Sequence, residues 1–275
     1  MKVAVTMKKG SQLARQVAER LLLFGEKELG VDMYVDIDVI DEIEWGKVYR
    51  PGIDKIDALV VVGGDGTLFR FLQRLPDCNP PPIFTVKAGR KNFLMEVNPE
   101  ESEKRFKDFI EGKYILEEYP RITARVFGKH TRTPLALNDV VLGGWGVHAY
   151  KAIGLSLFVE EEKVYSFFGD GIIIATPLGS TAYALAAGGP IVDPSLNCVV
   201  VVPIAPMQFN AKPLVAPLTK RVRVSIDYGE AALVVDGQLT DSLRAGEAVE
   251  IYGSICSVKL ARFSRYSTYA RLFTA

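Results

Sequence analysis

The run Val60-Val61-Val62-Gly63-Gly64-Asp65-Gly66-Thr67-Leu68 closes a β-branched stretch with three glycines around one carboxylate, and a helical pattern follows. Glycine lets backbone N–H groups come close to a phosphate, and a helix start behind them adds about half a unit of positive charge. Gly63, Gly64 and Thr67 are therefore candidate phosphate-binding residues. The acid carries more information. A carboxylate in a phosphate cradle repels its guest unless it has a second task, such as orienting a hydroxyl nucleophile or holding Mg²⁺. Asp65 is the candidate catalytic residue, with Gly66 and Arg70 on the substrate side of the same loop. An ordinary strand–turn–helix corner with Asp65 as its N-cap is the structural alternative, and the length of the glycine run weighs against it.

Two further places suit a nucleoside. In Leu137-Asn138-Asp139 an amide can donate and accept toward a base edge, and a carboxylate can accept from ribose hydroxyls. A plain β-turn before Val140 would use the same residues. From Asp170 an apolar run leads through Thr176-Pro177-Leu178-Gly179-Ser180 to Thr181, Ala182 and Tyr183, then Ala184, Leu185 and Ala186. A hydroxyl, backbone N–H groups and an aromatic face at a helix start suit adenine or phosphate. The competing structural readings are Tyr183 as core and Ser180 or Thr181 as an N-cap. With two histidines, His130 and His148, and no Cys-x-x-Cys pair, no His- or Cys-ligated metal centre is expected. Cys78, Cys198 and Cys256 read as reduced and inert, and Trp45 and Trp145 as packing residues.

The elements around these residues fall into two kinds. Lys2 to Met7 reads as a strand, and Ser11 as the N-cap of a helix carrying Leu13, Val17, Leu21 and Phe24. Val31 to Ile40 alternates like a half-buried strand, Asp57 to Val62 and Ile83 to Val86 are compact apolar runs, and Thr67 to Leu75 and Glu100 to Glu111 are helical. Strands alternating with helices imply a mostly parallel sheet covered on both faces. After Tyr119-Pro120 the chain turns to β-type runs, 122–127, 136–142, 153–159, 163–168, 172–175, 199–204, 221–226 and 232–235, at the spacing of a sandwich. One Ala-rich stretch, Ser180 to Ala187, reads as a short helix. The expected fold class is an α/β N-terminal domain with a mostly parallel sheet (1–119), followed by an all-β, sandwich-like second domain (120–258). A C-terminal segment (259–275) carrying Arg265 and Arg271 is placed as a possible return to the first domain.

The 275 residues suffice for two cores, and 48% hydrophobic with 24% charged residues excludes disorder and fibrous classes. Thirty-three basic against thirty-three acidic residues leave no bulk field for nucleic acid or a membrane surface. Charge returns too soon after the first residues for a signal peptide, and no apolar run spans a bilayer, so the expectation is a cytoplasmic protein. Scarce Asn and Gln point to a hot habitat.

The loop Gly63–Thr67 resembles that of kinases sharing Gly-Gly-Asp-Gly-Thr, namely NAD kinases, diacylglycerol and sphingosine kinases, and 6-phosphofructokinases. Asp170 through Tyr183, continuing to Gly188-Gly189-Pro190-Ile191, is similar to the long signature of NAD kinases, and Asn138-Asp139 and Asp236-Gly237-Gln238 follow that family's order. The chain thus resembles an NAD kinase of archaeal or thermophilic type. That resemblance implies transfer of a phosphoryl group from ATP or polyphosphate, with Mg²⁺ or another divalent metal, to the adenosine ribose 2′-hydroxyl of NAD, giving NADP. It implies Asp65 as catalyst, and Gly66, Arg70, Asn138, Asp139, Asp170, the run Thr181 to Ala186, and Gln238 as substrate-binding residues, in a homodimer or homotetramer. The competing functions are another kinase of this loop type acting on a lipid or sugar, or a non-catalytic NAD sensor. The chain departs from the family pattern at Lys87, Lys91, Asn92, Phe168, Met207 and Lys212, while keeping Gly89, Arg90, Phe93 and Leu94.

Overall fold

A computed structural model describes residues 1–75, 79–89, 93–129, 134–144 and 151–264. Cys78, Arg90, Lys91, Asn92, His130, Trp145, His148, Arg265 and Arg271, singled out above, lie outside the described residues. The chain divides into two compact units, Met1–Glu118 with the return that begins at Ser257, and Tyr119–Cys256.

The first unit runs β1 (Lys2–Met7), α1 (Gln12–Lys27), β2 (Asp32–Asp36), β3 (Val48–Tyr49), β4 (Ala58–Gly63), α2 (Asp65–Arg74), β5 (Ile83–Lys87) and α3 (Ser102–Ile110). Its strands lie side by side as β3-β2-β1-β4-β5, every pair parallel, and Leu260 of the returning chain pairs with Ile83 beyond β5. The order reverses between β1 and β4. Right-handed crossovers leaving that point in opposite directions put α1 and α2 on opposite faces, so β4 is buried along its whole length. The reversal also opens a crevice beyond the carboxyl ends of β1 and β4, which is where the Gly63–Gly66 loop emerges.

Ser11 caps α1 as its sequence predicts, accepting from the Ala14 N–H at 3.3 Å. Leu13, expected on the buried stripe, is 48% exposed. The stripe that reaches the core is Ala14, Val17, Ala18, Leu21 and Leu22, one residue round the helix, packed with Val3, Val5, Val60 and Val62. The strand expected over 31–40 stops at Asp36. There a fully buried carboxylate accepts from the Thr6 hydroxyl at 2.7 Å, the Asp38 N–H at 3.1 Å and the Arg74 guanidinium, and turns the chain into a 3₁₀ segment, Ile37–Glu42.

The second unit adds β6 (Ile115–Val126), β7 (Asp139–Gly144), β8 (Ile153–Val159), β9 (Glu162–Gly169), β10 (Gly171–Ala175), α4 (Tyr183–Ala186), β11 (Cys198–Ile204), β12 (Leu214–Pro217), β13 (Val222–Tyr228), β14 (Glu230–Val235), β15 (Gln238–Arg244) and β16 (Ala248–Arg262). The first part of β6 and the end of β16 lie in the first unit. One layer is ordered β12-β11-β10-β7-β14-β15, and the other runs β16-β13-β8-β9, with antiparallel pairs throughout. The core between them takes alternate residues, Ile172 and Ile174 from β10 with Leu155 and Leu157 from β8 and Val222 and Val224 from β13. Ile173 and Ala175 face the other way, onto Ala184 of α4 and Val200 and Val202 of β11. That double burial is why β10 reads as an unbroken apolar run.

The α/β unit and the β-sandwich are the fold class the sequence predicts. The expected helix over 180–187 is a 3₁₀ turn, Gly179–Thr181, followed by the single turn α4. β12, β15 and the 15-residue β16 are strands beyond those expected from the sequence: β12 is four residues long and ends in Pro217, polar and charged residues interrupt β15, and charge and glycine interrupt β16. Cys198 is free and buried, but Cys256 is disulfide-bonded, which corrects the reading of three reduced thiols. Sequence spacing carries no information on which sulfurs meet in space. No helix among the described residues is long and apolar enough to cross a membrane.

The ring of Phe84 meets those of Phe106, Phe109 and Phe263 at 5.7, 5.4 and 5.7 Å, tying α3 and the returning chain to β5. Phe84→Ala is expected to lose about 3–5 kcal/mol of stability in denaturant unfolding, with most of the cost from the cavity left behind.

Candidate active site

β4 ends at Gly63, Gly64 caps α2 with extended backbone, and Asp65 is the first helical residue. A Cβ added at Gly63 would stand 2.4 Å from the Thr67 hydroxyl oxygen, so only glycine lets Thr67 fold back over the strand end. Gly66 is different. It is exposed, and among the described residues nothing lies within 4 Å of a Cβ built there, so packing alone gives no reason for glycine at an early helical position.

The Asp65 side chain is half-buried and already engaged. One carboxylate oxygen accepts the Leu94 N–H at 2.9 Å and the other the Phe93 N–H at 3.0 Å. This excludes a simple N-cap, since the bonds go to a distant segment and not to the first turn of α2. Burial pushes the carboxyl above its ordinary pKa, opposed by the N–H groups of Leu94, Phe93 and Met95 and by the Arg262 cation. Arg262, itself 1% exposed, donates to the Leu94 carbonyl at 2.8 Å and to Glu117 at 2.8 Å. Glu96 accepts from the N–H groups of Phe263 and Ser264. The last strand therefore sets the segment that holds Asp65. Arg70 is exposed on α2, and its charge reaches Asp38.

In the second unit the Asn138-Asp139 corner is held from two sides. Asp236 accepts three consecutive N–H groups, from Leu137 at 2.7 Å, Asn138 at 2.7 Å and Asp139 at 3.1 Å. Thr176 accounts for two carbonyls, its hydroxyl donating to Leu137 at 2.7 Å and its N–H to Asn138 at 2.8 Å. Gly179 packs directly on this turn, since a Cβ there would come within 2.1 Å of the Asn138 oxygen. Three motifs far apart in sequence thus meet on two residues. Asp139 is 6% exposed, and burial, then the charge of Asp236, pushes its carboxyl up to about 7.

The remaining candidates take varied positions. Ser180 is no N-cap: it is fully buried, donates to the Pro177 carbonyl at 2.6 Å and accepts the Val192 N–H at 2.9 Å. The Thr181 hydroxyl donates to the Leu178 carbonyl at 2.9 Å, and the Ala182 N–H bonds the Gly179 carbonyl at 3.0 Å. Tyr183, 48% exposed, is not core. Leu185 and Ala186 are exposed and Ala184 is buried beneath them. Asp170 is exposed at the corner between β9 and β10, and Gln238 is exposed as the first residue of β15. Within the Asp-Gly-Gln motif it is Asp236, and not the expected substrate contact Gln238, that has the larger structural task. Its signal was the Asp-Gly pair itself, and both residues have positive φ, 47° and 75°.

No cluster of three or more His, Cys, Asp and Glu side chains able to hold a metal occurs among the described residues. The Asp65 carboxylate on a glycine loop is the kind of donor that suits Mg²⁺, which takes one or two carboxylates and completes its shell with phosphate oxygens and water.

An acid-bearing glycine loop at the reversal of a parallel sheet, in a chain whose second unit is a β-sandwich, is the arrangement expected of a phosphotransferase of the Gly-Gly-Asp-Gly-Thr class. The family model for the ATP-NAD kinase N-terminal domain matches residues 5–114, and that for the ATP-NAD kinase C-terminal domain matches residues 138–263. The chain belongs to the NAD kinase family, phosphotransferases that convert NAD to NADP, and not to the lipid or sugar kinases that share the loop. It is 35% identical over 277 residues to the NAD kinase of Aeropyrum pernix, covering 99% of this chain and 96% of that one. The crystal structure of an NAD kinase from Archaeoglobus fulgidus in complex with ATP is 31% identical with a TM-score of 0.77, over 100% of this chain and 98% of that one. Yeast NADH kinase complexed with NADH, 23% identical, shares the fold at a TM-score of 0.90, over 100% of this chain and 86% of that one.

A carboxyl whose folded value is raised binds more protons in the native than in the unfolded state between the two values. Stability then falls as pH rises through that window. For Asp139 the window runs from its ordinary 3.8 to about 7. Asp139→Asn should flatten this part of the stability profile in the ligand-free protein, measured as melting temperature against pH. A parent-like slope between these pH values would show that Asp139 does not carry it.

Proposed function

We propose that Asp65 accepts the proton of the adenosine ribose 2′-hydroxyl of NAD while ATP delivers its terminal phosphoryl group to that oxygen. The new bond joins the 2′-oxygen to the γ-phosphorus, the bond from that phosphorus to the bridging oxygen breaks, and ADP leaves with the electron pair. The observation that carries this reading is the Asp65 carboxylate fixed at the crevice of the sheet by the Phe93 and Leu94 N–H groups, beside an open glycine.

An Asp carboxyl, ordinarily near ~3.9, is far more acidic than a sugar alcohol even after burial has raised it, so prior deprotonation of the hydroxyl is too costly. The proton moves late, as the oxygen–phosphorus bond forms. Most of the acceleration then comes from aligning donor and acceptor and from neutralising phosphate charge. Gly63, Gly64 and Thr67, with the start of the ten-residue helix α2, supply N–H groups and dipole for the phosphates, and Arg70 adds a cation. A divalent ion such as Mg²⁺, held by phosphate oxygens and Asp65, would supply further neutralisation.

On the sandwich, Asn138 meets the adenine edge and Asp139 the ribose. A carboxyl balanced near neutrality can accept from one hydroxyl and donate to another, which fits a vicinal diol. Asp170, Gln238 and the run Thr181 to Ala186, with Tyr183 as its aromatic face, complete the dinucleotide contacts in this reading. A cytoplasmic homodimer or homotetramer belongs to the same proposal and rests on the family resemblance.

Incubation with NAD, Mg²⁺ and either ATP or polyphosphate should yield NADP, and its absence with every donor would sink the reading. Asp65→Asn should keep NAD affinity in calorimetry yet lose about 10²–10⁴ in kcat. Near-normal turnover would remove Asp65 from the chemistry. Gly66→Ala should hold or raise stability, by up to about 1 kcal/mol, because alanine suits a helix better. Its turnover should nevertheless fall, since the new methyl group occupies the space left for phosphate; unchanged turnover would place the phosphates elsewhere.

A further inference from the structure

Arg121, on β6, is 1% exposed, and it carries charge that the fold leaves partly unanswered. Its Nη2 donates to the Leu135 carbonyl at 2.5 Å, whereas Nε and Nη1 are buried with no hydrogen-bond partner among the described residues. A buried cation with idle donors is costly, and an apolar side chain of similar volume would pack at least as well. Stability therefore does not explain arginine at this position. Ile122 pairs with Ala136 through two backbone bonds of 3.0 and 2.8 Å, so Arg121 lies against the segment that enters the corner, and the next residue, Leu137, is the first that Asp236, 6% exposed, holds; the charges of Arg121 and Asp236 act on each other there.

Asp236 needs its charge. It accepts three successive N–H groups, and a protonated carboxyl would replace acceptor capacity with an O–H facing other donors. Burial pushes Asp236 toward that protonated form, and the Arg121 guanidinium opposes it. The charged groups that act on this carboxyl are Arg121 from β6 and, across the corner, Asp139 from β7.

We propose that Arg121 is a positioning residue for NAD recognition, acting through the Asp236 carboxylate on the three backbone N–H groups that set Asn138 and Asp139. Arg121 touches neither reacting atoms nor phosphate in this role. The inference rests on the reading of Asn138-Asp139 as the nucleoside corner, and the test separates the two.

Steady-state kinetics of the full chain, varying NAD and ATP in turn, gives the readout. Arg121→Met should raise the KM for NAD by at least about tenfold, as losing a buried charge that supports a buried carboxylate does. The KM for ATP and the kcat at saturating NAD should stay within about threefold, a split that general loosening of the fold would not produce. Arg121→Lys, which restores the charge, should recover most of the NAD affinity. Should Arg121→Met fail to fold, Asp236→Asn must show the same NAD-selective loss. A parent-like KM for NAD in folded Arg121→Met, while Asn138→Ala raises it, overturns the positioning role alone. Equal losses toward NAD and ATP also overturn it. A KM for NAD unmoved in Asn138→Ala as well overturns both the role and the reading beneath it.

Discussion

A desolvated carboxylate that accepts two or three consecutive backbone N–H groups is the constraint around which each unit is organised. Asp65 holds the Phe93–Leu94 backbone and Asp236 holds Leu137 through Asp139. Each bond satisfies a donor that a loop would otherwise leave to water, and each demands that a charged group give up its own hydration. Desolvation accordingly leads the influences on both carboxyls and pushes both upward. The arrangement holds because a nearly inaccessible arginine stands behind each, Arg262 for Asp65 and Arg121 for Asp236.

Much of the remaining detail follows from keeping these corners tight. Thr67 can fold over the end of β4 only because Gly63 has no side chain, and Thr176 and Gly179 can reach the Asn138 turn only because position 179 is glycine as well. Ser180, by joining the Pro177 carbonyl to the Val192 N–H, closes the long signature on itself and keeps α4 above β10. The polar residues of the signature thus divide between those that shape the backbone, Thr176 and Ser180, and those left facing outward, Tyr183 and Asp170. A motif legible as one string is two structural populations.

The proposed catalysis meets the same tension. Asp65 must remain an acceptor for a proton while its oxygens already receive N–H bonds, and its position on the first residue of a helix adds dipole stabilisation of the anion. These influences weaken it as a base, and burial strengthens it. For a loose phosphoryl transfer, in which the proton moves late, a fixed direction matters more than high basicity. Asp139 is tuned the other way, since burial and a like charge leave it near neutrality, able both to donate and to accept.

The amino-acid sequence by itself determined the class of fold, because β-branched runs, capping residues and the change of period near Tyr119 are local properties of consecutive residues. It also determined the glycine loop with its acid and the order of the nucleotide motifs, since each is a contiguous string whose chemistry is carried by residue type. Local pattern failed where polar or glycine residues interrupt a strand, as in β15 and β16, and where a buried Asp36 ends β2 early. What only the tertiary structure decided is which distant residues meet: Arg262 with Leu94, Asp236 with the backbone of Leu137 to Asp139, Arg121 behind Asp236. Those pairings depend on strand register and on which charges lose their water together, and neither quantity exists until the chain has folded.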